Sequence, residues 1–202
     1  MISAADALGR LREGNQRFIS GQLTDQTLSK KQLRALAADQ APFAIVLGCS
    51  DSRVPAELVF DQGFGDLFVI RVAGNIVAPS QVGSVEFAAS KFGTKLVVVM
   101  GHSGCGAITA AVEELLDGAT TESRNLRSIV DRVRPSVEAV IAGRQDVDRG
   151  TLIRESVIAN VRASVDHLRH GSELLENLIA TQGLVIVGAK YSLDRGVVTF
   201  LD

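Results

Sequence analysis

Residues 43–53 read FAIVLGCSDSR, and residues 96–106 read LVVVMGHSGCG. Each stretch begins with a short apolar run rich in β-branched residues and continues into glycine and polar side chains. Such runs are typical of strands buried on both faces of a parallel sheet. The two stretches therefore predict strands at Phe43–Leu47 and Leu96–Met100, each followed by a loop that carries a cysteine.

Three further apolar runs complete the predicted sheet, and helical patterns fill most of the remaining chain. The runs are Leu67–Val72, Leu184–Val187 and Val197–Leu201, the last returning antiparallel after a turn. Helical patterns cover much of residues 1–40 and then Ala107–Leu116, Leu126–Ile141, Leu152–Arg169 and Ser172–Thr181. We expect one α/β domain over residues 1–202, with a central, mostly parallel sheet of four strands plus an antiparallel edge strand, helices on both faces and an N-terminal helical arm at residues 1–40.

The composition narrows the classes of function. The chain has 202 residues, 46% of them hydrophobic and 22% charged, with a formal net charge of −2. This near-neutral, globular composition speaks against nucleic acid or a membrane as a partner, and no apolar run reaches the roughly 18 residues that span a bilayer. The charged N-terminus is unlike a signal peptide. We therefore expect a cytoplasmic protein, where cysteines bind metal or react more often than they pair.

Polar side chains cluster directly after the first and third predicted strands. Cys49 and Asp51 follow the first strand, and His102 and Cys105 follow the third. If these strands are neighbours, about 4.8 Å apart, their loops meet at the carboxyl edge of the sheet, where parallel sheets bind ligands. Two thiolates and one imidazole with an open fourth position make a catalytic zinc set, because a structural zinc site normally supplies four protein ligands.

Other interpretations of these residues remain open on the sequence alone. A buried cysteine can act as a small hydrophobic side chain, and Cys49 and Cys105 could form a disulfide. The glycine-rich loop at residues 101–106 could cradle a phosphate, although its spacing is not that of a dinucleotide-binding loop. His167 and His170 lie three residues apart on a predicted helix, and we expect both on the solvated surface.

Three motifs in this chain resemble those of the β-class carbonic anhydrases. They are CSDSRVP at residues 49–55, RVAGN at residues 71–75 and GHSGCG at residues 101–106. Their order and separation are specific together, and the resemblance extends along the whole chain. It implies reversible hydration of CO2 to bicarbonate and a proton by hydroxide generated on zinc. It also implies a homodimer, or a dimer of dimers, with the active site at the subunit interface.

The resemblance implies roles for individual residues. Zn²⁺ would be held by Cys49, His102 and Cys105, with Asp51 and Arg53 as a catalytic dyad. Paired with Arg53, Asp51 would orient the hydroxide; freed from Arg53 in a closed, low-pH state, it would become the fourth metal ligand. The implied substrate-binding positions are Gln40, Phe68, Ala73 and Phe87. The backbone N–H groups around Gly104 could in addition bind bicarbonate oxygens, as a loop that enters a helix can.

Two other functions are compatible with the same residues. The same zinc site could hydrolyse CS2 or COS, because access to the pocket decides which small molecule reacts. Alternatively, zinc could stabilise a non-catalytic interaction protein. The pair Asp51 and Arg53 argues against that alternative, since a structural zinc needs neither residue. Val46 stands where some relatives carry the tryptophan of an inhibitory bicarbonate site, so we predict no such site here.

Overall fold

The computed structural model describes residues 2–119, 123–144 and 147–201, and these contain a five-stranded sheet. The strand order is β2-β1-β3-β4-β5, with β1 to β4 parallel and β5 antiparallel to β4. The strands are β1 (Ala44–Gly48), β2 (Leu67–Arg71), β3 (Leu96–His102), β4 (Val185–Tyr191) and β5 (Val198–Leu201). The predicted architecture of four parallel strands and one antiparallel edge strand is confirmed, as is the adjacency of the first and third strands.

Strands β3 and β4 extend further than their apolar runs predicted. Gly101 of β3 pairs with Lys190, and His102 pairs with Tyr191 at the end of the same ladder. The predicted boundaries were short because hydrophobicity ends at Met100 and Val187, whereas backbone pairing continues through polar and glycine residues. His102 therefore lies on a strand rather than in a loop.

Helices cover both faces of the sheet, as predicted. In the described residues they are α1 (Ala4–Ser20), α2 (Lys30–Ala38), α3 (Ala56–Val59), α4 (Pro79–Phe92), α5 (Gly106–Asp117), α6 (Arg124–Ile141), α7 (Arg149–His170) and α8 (Glu173–Gln182). Ile45 and Leu47 of β1 belong to the core that packs under α4, α7 and α8. Ala44 and Val46 belong to the opposite core, under α1 and α3. This alternation buries both faces of the central strands.

Helix α4 was not predicted from the sequence. It begins with Pro79, which is favourable at the first helical position because its missing N–H would have no partner there. It contains Gly83 and three serines, and only Val85, Ala88 and Ala89 are buried. The apolar face is therefore short and built mainly from small side chains, so it gives a weak helical pattern.

The N-terminal segment divides into a packed helix and a helix without buried residues. Helix α1 places Ala7 and Leu11 in the core. Asn15 fixes it further, donating to the carbonyls of Val59 and Gly196 at 3.0 and 2.9 Å. Helix α2 begins with a capping box at Ser29 but buries none of its residues. Within the predicted arm at residues 1–40, α1 therefore packs into the core, whereas α2 buries no residue on its own chain.

No helix among the described residues combines the length and apolar character needed to cross a bilayer.

The packing of α1 on α3 predicts opposite effects for two glycine substitutions in the same helix. A Cβ at Gly14 would lie 1.8 Å from the backbone oxygen of Phe60, whereas a Cβ at Gly9 would meet nothing within 4 Å. Gly14→Ala is expected to lower the free energy of unfolding by about 3 kcal/mol through this overlap. Gly9→Ala should raise it by roughly 0.5–1 kcal/mol through helix propensity. Urea unfolding at one protein concentration measures both. Equal stabilities would show that α1 does not pack at this position.

Candidate metal centre

Two loops meet at the carboxyl edge of the sheet because β1 and β3 are hydrogen-bonded neighbours. Gly48 at the end of β1 is in register with Met100 of β3. Cys49 follows β1 directly, His102 is the last residue of β3, and Cys105 is the N-cap of α5. The ligand atoms of Cys49, His102 and Cys105 all lie within 4.8 Å of one another. The structure therefore brings together the three predicted metal ligands.

The donor set is buried and chemically suited to zinc. Cys49 is 5% exposed, His102 0% and Cys105 1%. His102 Nδ1 lies 3.0 Å from the carbonyl oxygen of Ser103, which fixes the ring orientation. Its Nε2 is buried with no hydrogen-bond partner in the part of the chain that the structure describes. A buried, unpartnered imidazole nitrogen beside two sulfurs fits a zinc ion, which prefers these donors.

The two sulfurs interact strongly with each other. A hydrogen bond between them lowers the pKa of Cys49 and, together with burial, raises the pKa of Cys105. Ionisation of one sulfur therefore disfavours ionisation of the other unless a cation lies between them. A cation that displaces the thiol protons would be held by both thiolates, which are the forms that bind metal.

Asp51 and Arg53 form a two-pronged ion pair beside the three donors. Arg53 donates from Nε to Asp51 Oδ1 at 2.9 Å and from Nη2 to Oδ2 at 2.7 Å. This guanidinium holds the pKa of Asp51 well below its usual range, so the carboxylate is ionised at neutral pH. Asp51 Oδ2 lies 3.8 Å from Nε2 of His102. The carboxylate thus faces the donor cluster while it remains bound to Arg53.

Arg71 anchors the loop that carries the pair, a role that the sequence analysis missed. Its Nε donates to the carbonyl of Cys49 at 3.0 Å, and its Nη2 donates to the carbonyl of Asp51 at 2.6 Å. Arg71 ends β2 in register with Gly48, which places its side chain next to this loop. No pattern in the sequence shows which carbonyls a strand-end arginine reaches, so this role becomes visible only in the folded chain.

The predicted substrate-binding residues fall into two groups. Ala73 precedes Gly74, whose N–H contacts Cys49, and Gly104 lies in the turn between His102 and Cys105. Phe68 is in register with Ile45 of β1, about 13 Å along the strand from Cys49, and its ring contacts Phe87 at 6.2 Å between centroids. Gln40 is exposed and precedes β1, so the whole strand separates it from Cys49. Gln40 therefore cannot reach the donors of its own chain.

A parallel sheet with a two-cysteine, one-histidine donor set at its carboxyl edge defines a candidate zinc enzyme. The chain belongs to the carbonic anhydrase family, whose model, described as "Carbonic anhydrase", matches residues 44–198.

Comparisons with individual proteins agree with this assignment. The chain is 40% identical over 193 residues to carbonic anhydrase 2 of Mycobacterium tuberculosis, covering 95% of this chain and 90% of the relative. It is 36% identical over 186 residues to a carbonic anhydrase of Mycolicibacterium smegmatis, covering 92% and 87%.

Solved structures with the same architecture are also β-carbonic anhydrases. One, from Aspergillus fumigatus, superposes with a TM-score of 0.77 at 25% identity, covering 98% of this chain and 90% of that one. Another, from Sordaria macrospora and described as tetrameric, gives a TM-score of 0.74 at 26% identity, covering 84% and 85%. These likenesses are to β-class members of the family, as the sequence motifs predicted.

The donor geometry predicts zinc binding that depends on Cys105. Replacement of this thiolate in Cys105→Ser leaves a poorer zinc ligand and should weaken binding by at least about tenfold. The matched control is His170→Ala, because the His170 side chain is 70% exposed and far along α7. Elemental analysis and competition with a chelator measure zinc content and affinity. Wild-type affinity in Cys105→Ser would exclude this cluster as the metal site.

Proposed function

We propose that this protein catalyses the reversible hydration of CO2 to bicarbonate and a proton, with zinc held by Cys49, His102 and Cys105. The single observation that carries the proposal is the ion pair of Asp51 and Arg53 next to the donors. A zinc ion that only stabilised the fold would need no ionised carboxylate facing it. Zinc held by these side chains would supply the Lewis acidity that generates hydroxide from water near neutral pH.

The electrostatics of the site explain why Arg53 accompanies Asp51. Two thiolates already neutralise the charge of a divalent cation, so hydroxide and an ionised carboxylate would add uncompensated negative charge. The Arg53 guanidinium supplies the opposing charge and holds both carboxylate oxygens in its planar fork. A lysine could supply the charge but not the two parallel hydrogen bonds.

Asp51 has a defined task in this reaction. An ionised carboxylate only accepts hydrogen bonds, so Asp51 fixes the attacking hydroxide by accepting the hydrogen bond that its proton donates. The oxygen lone pair is then directed away from Asp51 towards CO2, and a C–O bond forms to give bicarbonate. The proton released when the next water ionises leaves to the solvent. While Asp51 is bound to Arg53, as in this structure, it is not available as a fourth metal ligand.

The substrate pocket requires a second copy of the chain in this proposal. Ala73 and Gly104 lie beside the donors, whereas Gln40, Phe68 and Phe87 do not. Phe87 is 53% exposed and Phe64 is 68% exposed on the β2 side of the sheet, where a partner would cover them. Helix α2 also has no buried residue on its own chain. We infer a homodimer, alone or paired into a dimer of dimers, in which Gln40, Phe68 and Phe87 line the site of the other subunit.

A cytoplasmic location completes the proposal. It is supported by the two free cysteines within the donor cluster, because a reducing compartment keeps such thiolates available for metal.

The role of Asp51 predicts a loss of turnover without a loss of zinc. Asp51→Asn keeps the shape but weakens both the pairing with Arg53 and the orientation of hydroxide, so CO2 hydration should fall by about 10²-fold or more. Zinc content should stay at the wild-type level. The control is Asp166→Asn, because the Asp166 side chain is 78% exposed on α7. Stopped-flow measurements with a pH indicator at a pH above 8 follow the reaction.

Three results of that experiment would contradict the proposal. If zinc-loaded wild-type protein did not hydrate CO2, the proposed activity would be wrong. Sulfide release from CS2 or COS by such a protein would assign hydrolysis of those compounds instead. If Asp51→Asn were as active as wild type, Asp51 would have no part in the reaction, and a structural zinc would be favoured.

Sharing of residues between subunits predicts complementation between two defective chains. Gln40→Ala should bind zinc but hydrate CO2 slowly, and Cys105→Ser should be inactive because its zinc site has lost one thiolate. In a hybrid dimer the Cys105→Ser subunit supplies Gln40 to the zinc-loaded site of its neighbour, which restores one native site. With random pairing, co-expression should recover about a quarter of wild-type activity. If Gln40 served its own subunit, the mixture would show no more activity than Gln40→Ala alone.

A further inference from the structure

The turn Ala73–Asn75, between β2 and α4, lies directly against Cys49. The backbone N–H of Gly74 donates a hydrogen bond to Cys49 Sγ at 3.4 Å. An N–H group directed at sulfur stabilises its thiolate form and fixes where the sulfur points. Gly74 has φ 70°, in the left-handed region, and a Cβ there would lie 3.0 Å from that of Ala107. The position of this turn therefore affects the geometry of a proposed metal ligand.

The turn has one local hydrogen bond, from the N–H of Asn75 to the carbonyl of Val72 at 3.0 Å, but its backbone is strained. Asn75 follows Gly74 with φ 44°, so two consecutive residues are left-handed, and the second carries a side chain. This backbone costs free energy for any residue other than glycine. Such a conformation persists only when surrounding groups hold it, and the groups that hold this turn come from the helix packed against it.

Helix α7 supplies these groups from a buried polar stripe. Ser156, Asn160 and Ser164 lie four residues apart on the same face of the helix and are 0%, 3% and 5% exposed. Asn160 Nδ2 donates to the carbonyl of Gly74 at 2.8 Å, and Ser164 Oγ donates to the carbonyl of Asn75 at 3.1 Å. Ser156 Oγ makes no hydrogen bond within the described residues. Two members of the stripe thus hold the turn and the third does not.

We propose that Asn160 and Ser164 are positioning residues for the metal centre. Their side chains donate hydrogen bonds to two carbonyls of the Ala73–Asn75 turn. The turn thereby directs the N–H of Gly74 at Cys49 Sγ. The inference rests on the proposed role of Cys49 as a zinc ligand but not on CO2 hydration. It assigns a function to α7, which contributes no donor to the site.

The test uses two variants that remove a donor and a matched control on the same face of α7. Asn160→Leu and Ser164→Ala each remove one hydrogen bond to the turn; leucine keeps the branched shape of asparagine, and alanine lacks only the serine hydroxyl. Ser156→Ala removes a buried hydroxyl that does not contact the turn. Zinc affinity is measured by competition with a chelator. Cobalt-loaded protein is examined for the thiolate-to-cobalt absorption band, which reports sulfur–metal geometry.

We expect Asn160→Leu and Ser164→Ala to weaken zinc binding by about tenfold each, as losses around metal ligands typically do, and to shift the cobalt band. Ser156→Ala should stay within about twofold of wild type in affinity, with an unchanged band. Wild-type affinity and spectrum in both variants would overturn the inference, and so would equal losses in all three. Failure of the proposed function is distinguishable, because it would appear as zinc-loaded wild-type protein that does not hydrate CO2.

Discussion

The pairing of β1 with β3 is the constraint on which the rest of the molecule depends. Because Gly48 and Met100 are in register, Cys49 and His102 follow them at the same edge of the sheet, one and two residues further along the chain. Cys49 and His102 then meet without any long-range adjustment of the loops. A shift of two residues in this register would move one donor by about 7 Å and separate the set. Sheet pairing brings the three donors to one place, and the loops and turns around them set the positions of the two cysteines.

The metal centre concentrates negative charge at a buried position, and the groups around it stabilise that charge. Arg53 faces the carboxylate of Asp51, and Arg71 binds the two carbonyls of the loop that carries it. The N–H of Gly74 points at the sulfur of Cys49. Positive or partly positive groups therefore approach from three elements. A divalent cation would complete this balance, because it would pair with the thiolates of Cys49 and Cys105.

The sequence predicted the elements that have a local pattern and missed those that depend on distant partners. Apolar, β-branched runs located all five strands, and the spacing of Cys49, His102 and Cys105 indicated a metal set. Helix α4 was missed because its small buried side chains give little periodicity. The roles of Arg71 and Asn160 could not be read from the chain. A polar residue in a helical pattern suggests solvent, and only the packed structure shows which carbonyl it reaches.

The near-complete burial of the three donors has a consequence for how the ion is acquired. Sulfur and nitrogen atoms that solvent scarcely touches cannot exchange a metal without local opening of the strand ends. Such opening would break the backbone hydrogen bonds of the β3–β4 ladder that ends at His102 and Tyr191, so it costs part of the free energy that stabilises the sheet. Loading is therefore easiest while the chain is still folding, and an ion once enclosed is released slowly.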